Sequence, residues 1–294
     1  MKPAPFEYAA PTDLAEALAL LDRYGDEAKV LAGGQSLMPL MNLRLARPRA
    51  LVDINRLSTL ASITPDAHGG LLIGGLVRQR TVERSSQVHA GSPLFAAAMP
   101  LIGHFQIRNR GTIGGSMVHA DPAAELPALA IALGAEFVLR SARHERIVPA
   151  DAFFVSYLTT AIQPTELLTE IRLPAWTPGT GWAIEEVCRR TGDFALVGAV
   201  VLVRLDGRET CQEARLTLFG VGGTPVRIRK AEDRLRGRAL DDRALGEVAR
   251  IVSEELEPDA DLHASAEYRK EVGGVLTRRA LQAALLRAKG GTGA

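Results

Sequence analysis

The sequence predicts an α+β fold in two parts, and three observations carry that prediction. A chain of 294 residues exceeds what one core usually serves, which favours two domains of about 100 to 200 residues each. Helical and strand-like patterns alternate through the first half, whereas strand-like runs precede helical ones in the last hundred residues, the order expected of an α+β domain. Between them, after "PTELLTEIRLP", the stretch "AWTPGTGW" has the proline and glycine content of a linker. The boundary is therefore placed there, giving domains over 1–176 and 177–290.

The elements follow in order. In "TDLAEALALLDRYG", Leu14, Ala17, Leu18 and Leu21 fall on one helical face, with Thr12 or Asp13 as N-cap and Gly25 past the end. "KVLAGG" reads as a buried strand entering a tight turn. "ALVDI" at 50–54 and "LLIGGLV" at 71–77 read as strands of one small mixed sheet. "SPLFAAAMPLI" at 92–102 predicts a helix with Ser92 as N-cap and Pro93 at its first position. "AAELPALAIALGAEFVLR" predicts a helix ending near Gly134 and then a strand. Strand-like "FALVGAVVLVRL" and "EARLTLFGVGG" and two helical stretches, around "DRALGEVARIVSEEL" and "SAEYRKEVGGVLTRRALQAALLRA", complete the second domain.

Composition excludes several functions. Apolar residues make up 47%, charged residues 23% and the formal net charge is +1, which fits neither a disordered chain nor a nucleic-acid-binding one. Cys188 and Cys211 have neither metal-site spacing nor the density of a disulfide scaffold, as expected of a reducing compartment. The N-terminus lacks the apolar core of a signal peptide, and the longest apolar run, 194–203, falls short of the roughly 20 residues that span a bilayer. The expectation is a soluble, cytoplasmic protein.

Two segments point to chemistry. "LAGGQSLMPLMNLRLARP" begins at Leu31, and "NRGTIGGSMVHADPAAELP" follows some eighty residues later. Glycine pairs after strand-like runs are costly unless something approaches the backbone closely. A glycine turn aims successive N–H groups into one concavity that binds anionic oxygen. Two such loops, with the hydroxyls of Ser36, Thr112 and Ser116, form two walls for a diphosphate, and a Cβ on Gly33 or Gly114 is expected to take the anion's place. Neither loop reads GxGxxG, and no Gly-Lys-Ser/Thr occurs.

Together with "CRRTGDFALVGA", these segments resemble the FAD-binding medium subunit of the molybdenum hydroxylases, the xanthine dehydrogenase and carbon monoxide dehydrogenase family. The resemblance covers nearly the whole chain. It implies an FAD-binding domain of two α+β subdomains, of the PCMH or vanillyl-alcohol-oxidase-like type. A smaller α+β domain of the carbon monoxide dehydrogenase flavoprotein C-terminal type follows and completes the flavin pocket. It further implies that Ala32, Gly33, Gly34, Gln35, Ser36 and Leu37 wrap the pyrophosphate from one side and Thr112, Ile113, Gly114, Gly115 and Ser116 from the other. Glu125 matches the family's acidic position for ribityl or ribose hydroxyls; Asp121 is a second candidate, or an N-cap. Leu168 belongs to the implied cofactor set. Asp193 and Phe194 lie in the segment that approaches the isoalloxazine, where Phe194 either shields a flavin face or is a core residue. Where some relatives carry a lysine before the arginine pair, this chain has Glu185 and Glu186.

By the same resemblance, a large molybdenum subunit carrying the molybdopterin cofactor hydroxylates the substrate, a small subunit relays electrons through 2Fe-2S clusters, and FAD in this chain passes them to an external acceptor, in a dimer of heterotrimers. No catalytic acid or base and no metal ligand is expected in the chain itself. The alternatives are a self-sufficient FAD-dependent reductase or oxidase of the same fold, whose "GIPGT"-like loop "NRGTIGGS" is not, and a scaffold that has lost its flavin.

Overall fold

The computed structural model describes residues 2–290. A first unit is built from β1 (Glu7–Ala9), α1 (Leu14–Tyr24), β2 (Ala28–Leu31), α2 (Leu37–Asn42) and β3 (Ala50–Asp53). Its strands form a parallel sheet in the order β1-β3-β2. Asp13 caps α1 by accepting from the Glu16 N–H at 2.8 Å, Gly25 ends it at φ 50°, and Ala17, Leu18 and Leu21 are the buried face, as the spacing predicts.

The second unit comprises β4 (Ile63–Pro65), β5 (Leu71–Gly74), α3 (Gln79–Arg84), α4 (Ser86–Gly91), α5 (Pro93–Ala98), α6 (Phe105–Arg110), α7 (Ile113–His119), α8 (Glu125–Leu133), β6 (Glu136–Arg140), β7 (Glu145–Pro149), α9 (Ala150–Phe153), β8 (Phe154–Ser156), β9 (Thr159–Thr160) and β10 (Leu167–Leu173). Its main sheet is antiparallel, in the order β4-β5-β10-β6-β7. The strands at 50–53 and 71–74 therefore belong to different sheets, not to one mixed sheet: β3 pairs parallel inside the first unit, and β5 pairs with β10. The helix at 92–102 is shorter than the periodicity predicts. Pro100 has no N–H to continue the ladder, and the chain tightens into a 3-10 turn over Met99–Leu101. Every residue of α8 is buried, and Gly134 ends it in the left-handed region at φ 69°.

The remaining elements are β11 (Gly181–Cys188), β12 (Ala195–Leu205), β13 (Cys211–Phe219), β14 (Val226–Arg227), α10 (Arg229–Leu235), α11 (Asp242–Glu255) and α12 (Ala266–Ala288). The strands form one antiparallel sheet in chain order. One face, carrying Ala183, Val197, Val201 and Leu216, packs on α10–α12. The other, carrying Trp182, Ile184, Val200, Leu202 and Phe219, packs into the core that holds α8 and β6. Among the described residues no helix is long and apolar enough to cross a membrane.

Candidate functional site

The first glycine segment leaves β2 and enters α2, and its backbone is poor in partners. The N–H groups of Gly33, Gly34, Gln35, Ser36 and Leu37 donate to no acceptor among the described residues. The Gln35 side chain clamps the turn by donating to the Gly33 carbonyl at 2.9 Å. Gly34 lies at φ 73°, where a side chain is strained. This run borders a cleft of about 420 Å³ lined by Ala32, Gly33, Gly34, Gln35, Asp53, Asn55 and Arg110. The Arg110 guanidinium is exposed and forms no hydrogen bond or ion pair among the described residues, so free N–H dipoles and a free cation meet at one place, the arrangement that holds an anion.

The second glycine segment differs from the sequence reading. It follows a helix, α6, and opens another, α7. Ile113 donates to the Val77 carbonyl at 2.9 Å, Gly114 to Gly75 at 3.0 Å, Gly115 to the Thr112 hydroxyl at 3.0 Å and Ser116 to the Thr112 carbonyl at 3.2 Å. These donors are spent inside the protein, and this segment forms no second nest among the described residues. Thr112, Ile113 and Gly114 are buried; Gly115 is exposed and Ser116 half-buried, and they are what the segment presents outward.

The glycines are also needed for a reason other than ligand approach. A Cβ on Gly33 would lie 2.6 Å from the Arg110 carbonyl oxygen and 2.9 Å from Gly111 Cα; one on Gly114 would lie 2.6 Å from the Gly75 oxygen. Chain passes against chain at both places, so a Cβ would displace protein backbone before it reached a ligand. The two segments are thereby neighbours: a Cβ on Gly115 would stand 3.9 Å from that of Ala32.

Sequence patterning missed the residues that fasten the two units together. Asn55 donates to the Ala32 carbonyl at 2.8 Å and to Asp53 at 2.6 Å. Arg78 donates to Asn55 at 2.6 Å and to the Arg110 carbonyl, and Tyr8 donates to Asp53 at 2.7 Å. Burial works to raise the Asp53 carboxyl, but bonds from Asn55 and Tyr8 outweigh it and hold the group below its ordinary range. Arg78 is pushed down by burial and by the nearby Arg110 charge.

A second cleft, of about 840 Å³, lies between the C-terminal sheet and the loop before α8, and Asp121, Arg189, Arg190, Asp193, Phe194 and Arg269 are among its lining residues. Phe194 is 58% exposed, so it is not a core residue. Asp121 accepts from the Ala123 N–H at 2.9 Å, making a turn ahead of α8; the N-cap position is Ala124. Leu168 is buried in β10 and borders neither cleft. Glu125, the first residue of α8, is 4% exposed; burial, and then the Asp121 charge, push its carboxyl up to about 7. Glu186, on β11, has its Oε2 buried with no partner, and burial followed by the Glu125 charge raises it to about 8. Among the described residues no group of His, Cys, Asp or Glu is placed to hold a metal ion, and burial raises the Cys188 thiol, leaving it unactivated.

A run of unpaired N–H groups on one unit, pinned beside a helix start on another, with a second cleft under a third sheet, is the arrangement of proteins that hold a long anionic cofactor across domains. Comparison with known proteins narrows it. Residues 4–176 match the FAD binding domain in molybdopterin dehydrogenase, and 182–284 match the CO dehydrogenase flavoprotein C-terminal domain. The chain is 42% identical to the carbon monoxide dehydrogenase medium chain of Hydrogenophaga pseudoflava, covering 98% of this chain and 99% of that one. It is 41% identical to subunit alpha of the 6-hydroxypseudooxynicotine dehydrogenase complex of Paenarthrobacter nicotinovorans, covering 98% and 97%. A solved structure of carbon monoxide dehydrogenase from Hydrogenophaga pseudoflava superposes with a TM-score of 0.94 at 42% identity, over 98% of this chain and 99% of that one. The chain belongs to the FAD-binding medium subunits of the molybdenum hydroxylases.

FAD fits the residues present. The unpaired N–H groups of Gly33, Gly34 and Gln35 line the cleft with Arg110 and match its diphosphate, and the orphaned Glu186 oxygen marks a place where protein alone leaves a polar group unsatisfied.

Proposed function

We propose that this chain is the electron outlet of a three-subunit molybdenum hydroxylase, taking electrons from 2Fe-2S clusters of a small subunit and passing them to an external acceptor. The organic substrate is then oxidised at a large molybdenum subunit, and the assembly is a dimer of such heterotrimers in the cytoplasm. The observation that carries this reading is the run of five unpaired N–H groups beside Arg110, pinned to a second subdomain. A dinucleotide needs that length of site; a mononucleotide does not. Bound FAD supplies the exchange between one-electron and two-electron carriers.

The residues divide the work. Ala32, Gly33, Gly34, Gln35, Ser36 and Leu37 bind the diphosphate through backbone dipoles. Gly115 and Ser116 meet it from the other side, while Thr112, Ile113 and Gly114 hold α7 in register for them. Glu125 and Asp121 take the cofactor's hydroxyls, Leu168 backs the pocket, and Asp193 and Phe194 bound it at the β11–β12 hairpin. Residues 1–176 form the FAD domain and 177–290 its cover. Two relatives at 41% and 42% identity are named for quite different substrates, which supports placing substrate choice in the partners.

The test is anaerobic stopped-flow on a deflavinated complex. Substrate should still bleach the iron-sulfur clusters while turnover with the physiological acceptor stops. Loss of cluster reduction in an intact complex, or full turnover without flavin, would overturn the outlet reading.

A further inference from the structure

The face of β11 that carries Trp182 and Ile184 into the N-terminal core continues, two residues on, with Glu186. Its carboxyl therefore enters the seam between the C-terminal sheet and the FAD domain. Glu186 Oε2 is buried there without a hydrogen-bond partner. Across the seam stands Glu125, at the start of α8, whose side chain bonds to no other residue among those described. Asp121 ahead of α8 acts on Glu125, and Cys188 on β11 lies near both carboxyls; Arg189, Arg190 and Arg269 line the neighbouring cleft with Asp121 and Asp193, but among the described residues none of them bonds to either glutamate. An apolar seam with two carboxyls and no donor is costly unless a ligand completes it or the carboxyls retain protons.

We propose that Glu186 is a contact from the C-terminal domain to the flavin, a carboxyl group that donates a hydrogen bond to an acceptor atom of the bound cofactor opposite Glu125. The proposal rests on the FAD reading above. Flavin rings present carbonyl oxygens and ring nitrogens as acceptors, for which a protonated carboxyl at the seam is a neutral donor from the cover domain, and the seam's environment keeps Glu186 in the donating form. FAD binding and the closure of the two domains then share one bond.

The experiment titrates the assembled, deflavinated complex with FAD, following flavin fluorescence, for wild type, Glu186→Gln and Glu186→Ala. Wild type should bind about tenfold more weakly at about pH 9 than at about pH 7, as Glu186 loses its proton. Glu186→Gln keeps a donor of the same size and cannot ionise; it should match the wild-type affinity at the lower pH and hold it at the higher. Glu186→Ala should lose about tenfold at the lower pH and be restored by glutamine at the same position. Circular dichroism of the variants separates folding from binding. Wild-type affinity in Glu186→Ala, or an unchanged pH fall in Glu186→Gln, would overturn the proposal while leaving the FAD reading intact. A wild-type complex that takes up no FAD would instead overturn that reading, and this proposal with it.

Discussion

Replacing Gly114 with alanine separates two reasons for a glycine at the start of α7. A Cβ there would sit 2.6 Å from the Gly75 oxygen, 2.8 Å from its Cα and 3.0 Å from its carbonyl carbon, all backbone atoms of a segment that also accepts the Gly114 N–H. Side-chain rotation cannot relieve such a contact, so α7 and the β5–α3 turn must move apart. Overpacking of this kind costs about 1–3 kcal/mol, and the better helix propensity of alanine returns up to about 1. The net expectation is a loss of about 1–2 kcal/mol. Gly246 in α11 is the internal control, because an added Cβ meets nothing within 4 Å. Gly246→Ala should raise stability by about 0.5–1 kcal/mol. The assay is urea unfolding of flavin-free protein, so that ligand binding contributes nothing to the difference. If Gly114→Ala unfolds at the wild-type midpoint yet fails to bind FAD, the glycine serves the ligand and the packing argument is wrong.

Arg110→Met should weaken FAD binding about tenfold at unchanged unfolding midpoint, since the guanidinium has no protein partner to lose; fluorescence titration and urea unfolding read the two effects. Arg108→Met should cost about 3 kcal/mol in urea unfolding, because its buried guanidinium donates to Glu83 at 2.9 Å and to the carbonyls of Ile102 and Gly103 at 3.0 and 2.9 Å; Glu83 keeps Arg80 as a partner, but the two carbonyls lose this donor. Glu125 and Glu186 titrate near 7 and 8 in the folded chain against an ordinary 4.5, so folding takes up protons: their stabilising contribution is full below about 4.5 and lost as pH rises through about 8. Flavin-free protein should therefore be less urea-resistant at pH 8 than at pH 6, with a shallower fall in Glu186→Gln.

Local patterns read well where local physics decides. The helix at α1 showed its face and both caps, and the first glycine segment, with its glycines and small polar residues, leaves N–H groups without partners among the described residues. β11 escaped because Glu185 and Glu186 interrupt its apolar alternation, and the carboxyl that acts on Glu186 belongs to Glu125, about sixty positions away in sequence. Arg78, Asn55 and Arg110 were equally silent: their partners are carbonyls on distant segments, which no spacing reveals. The second glycine segment misled for the same reason, since the Ile113 and Gly114 N–H groups meet the turn after β5, while those of Gly115 and Ser116 turn back on Thr112.

The sheet β11–β14 is a party wall, with one core plastered on each side of it. Trp182, Ile184, Val200 and Phe219 would be bare apolar surface if the last third of the chain were expressed alone, and Phe219 fills the space where Gly198 lacks a side chain. Two sequence families meet in this chain, but they share a wall that neither could spare. A protease cut in the stretch at 175–180 should thus leave two fragments that co-purify and melt together, and a graft of the C-terminal part onto another flavin domain would need the matching face of α8 to come with it.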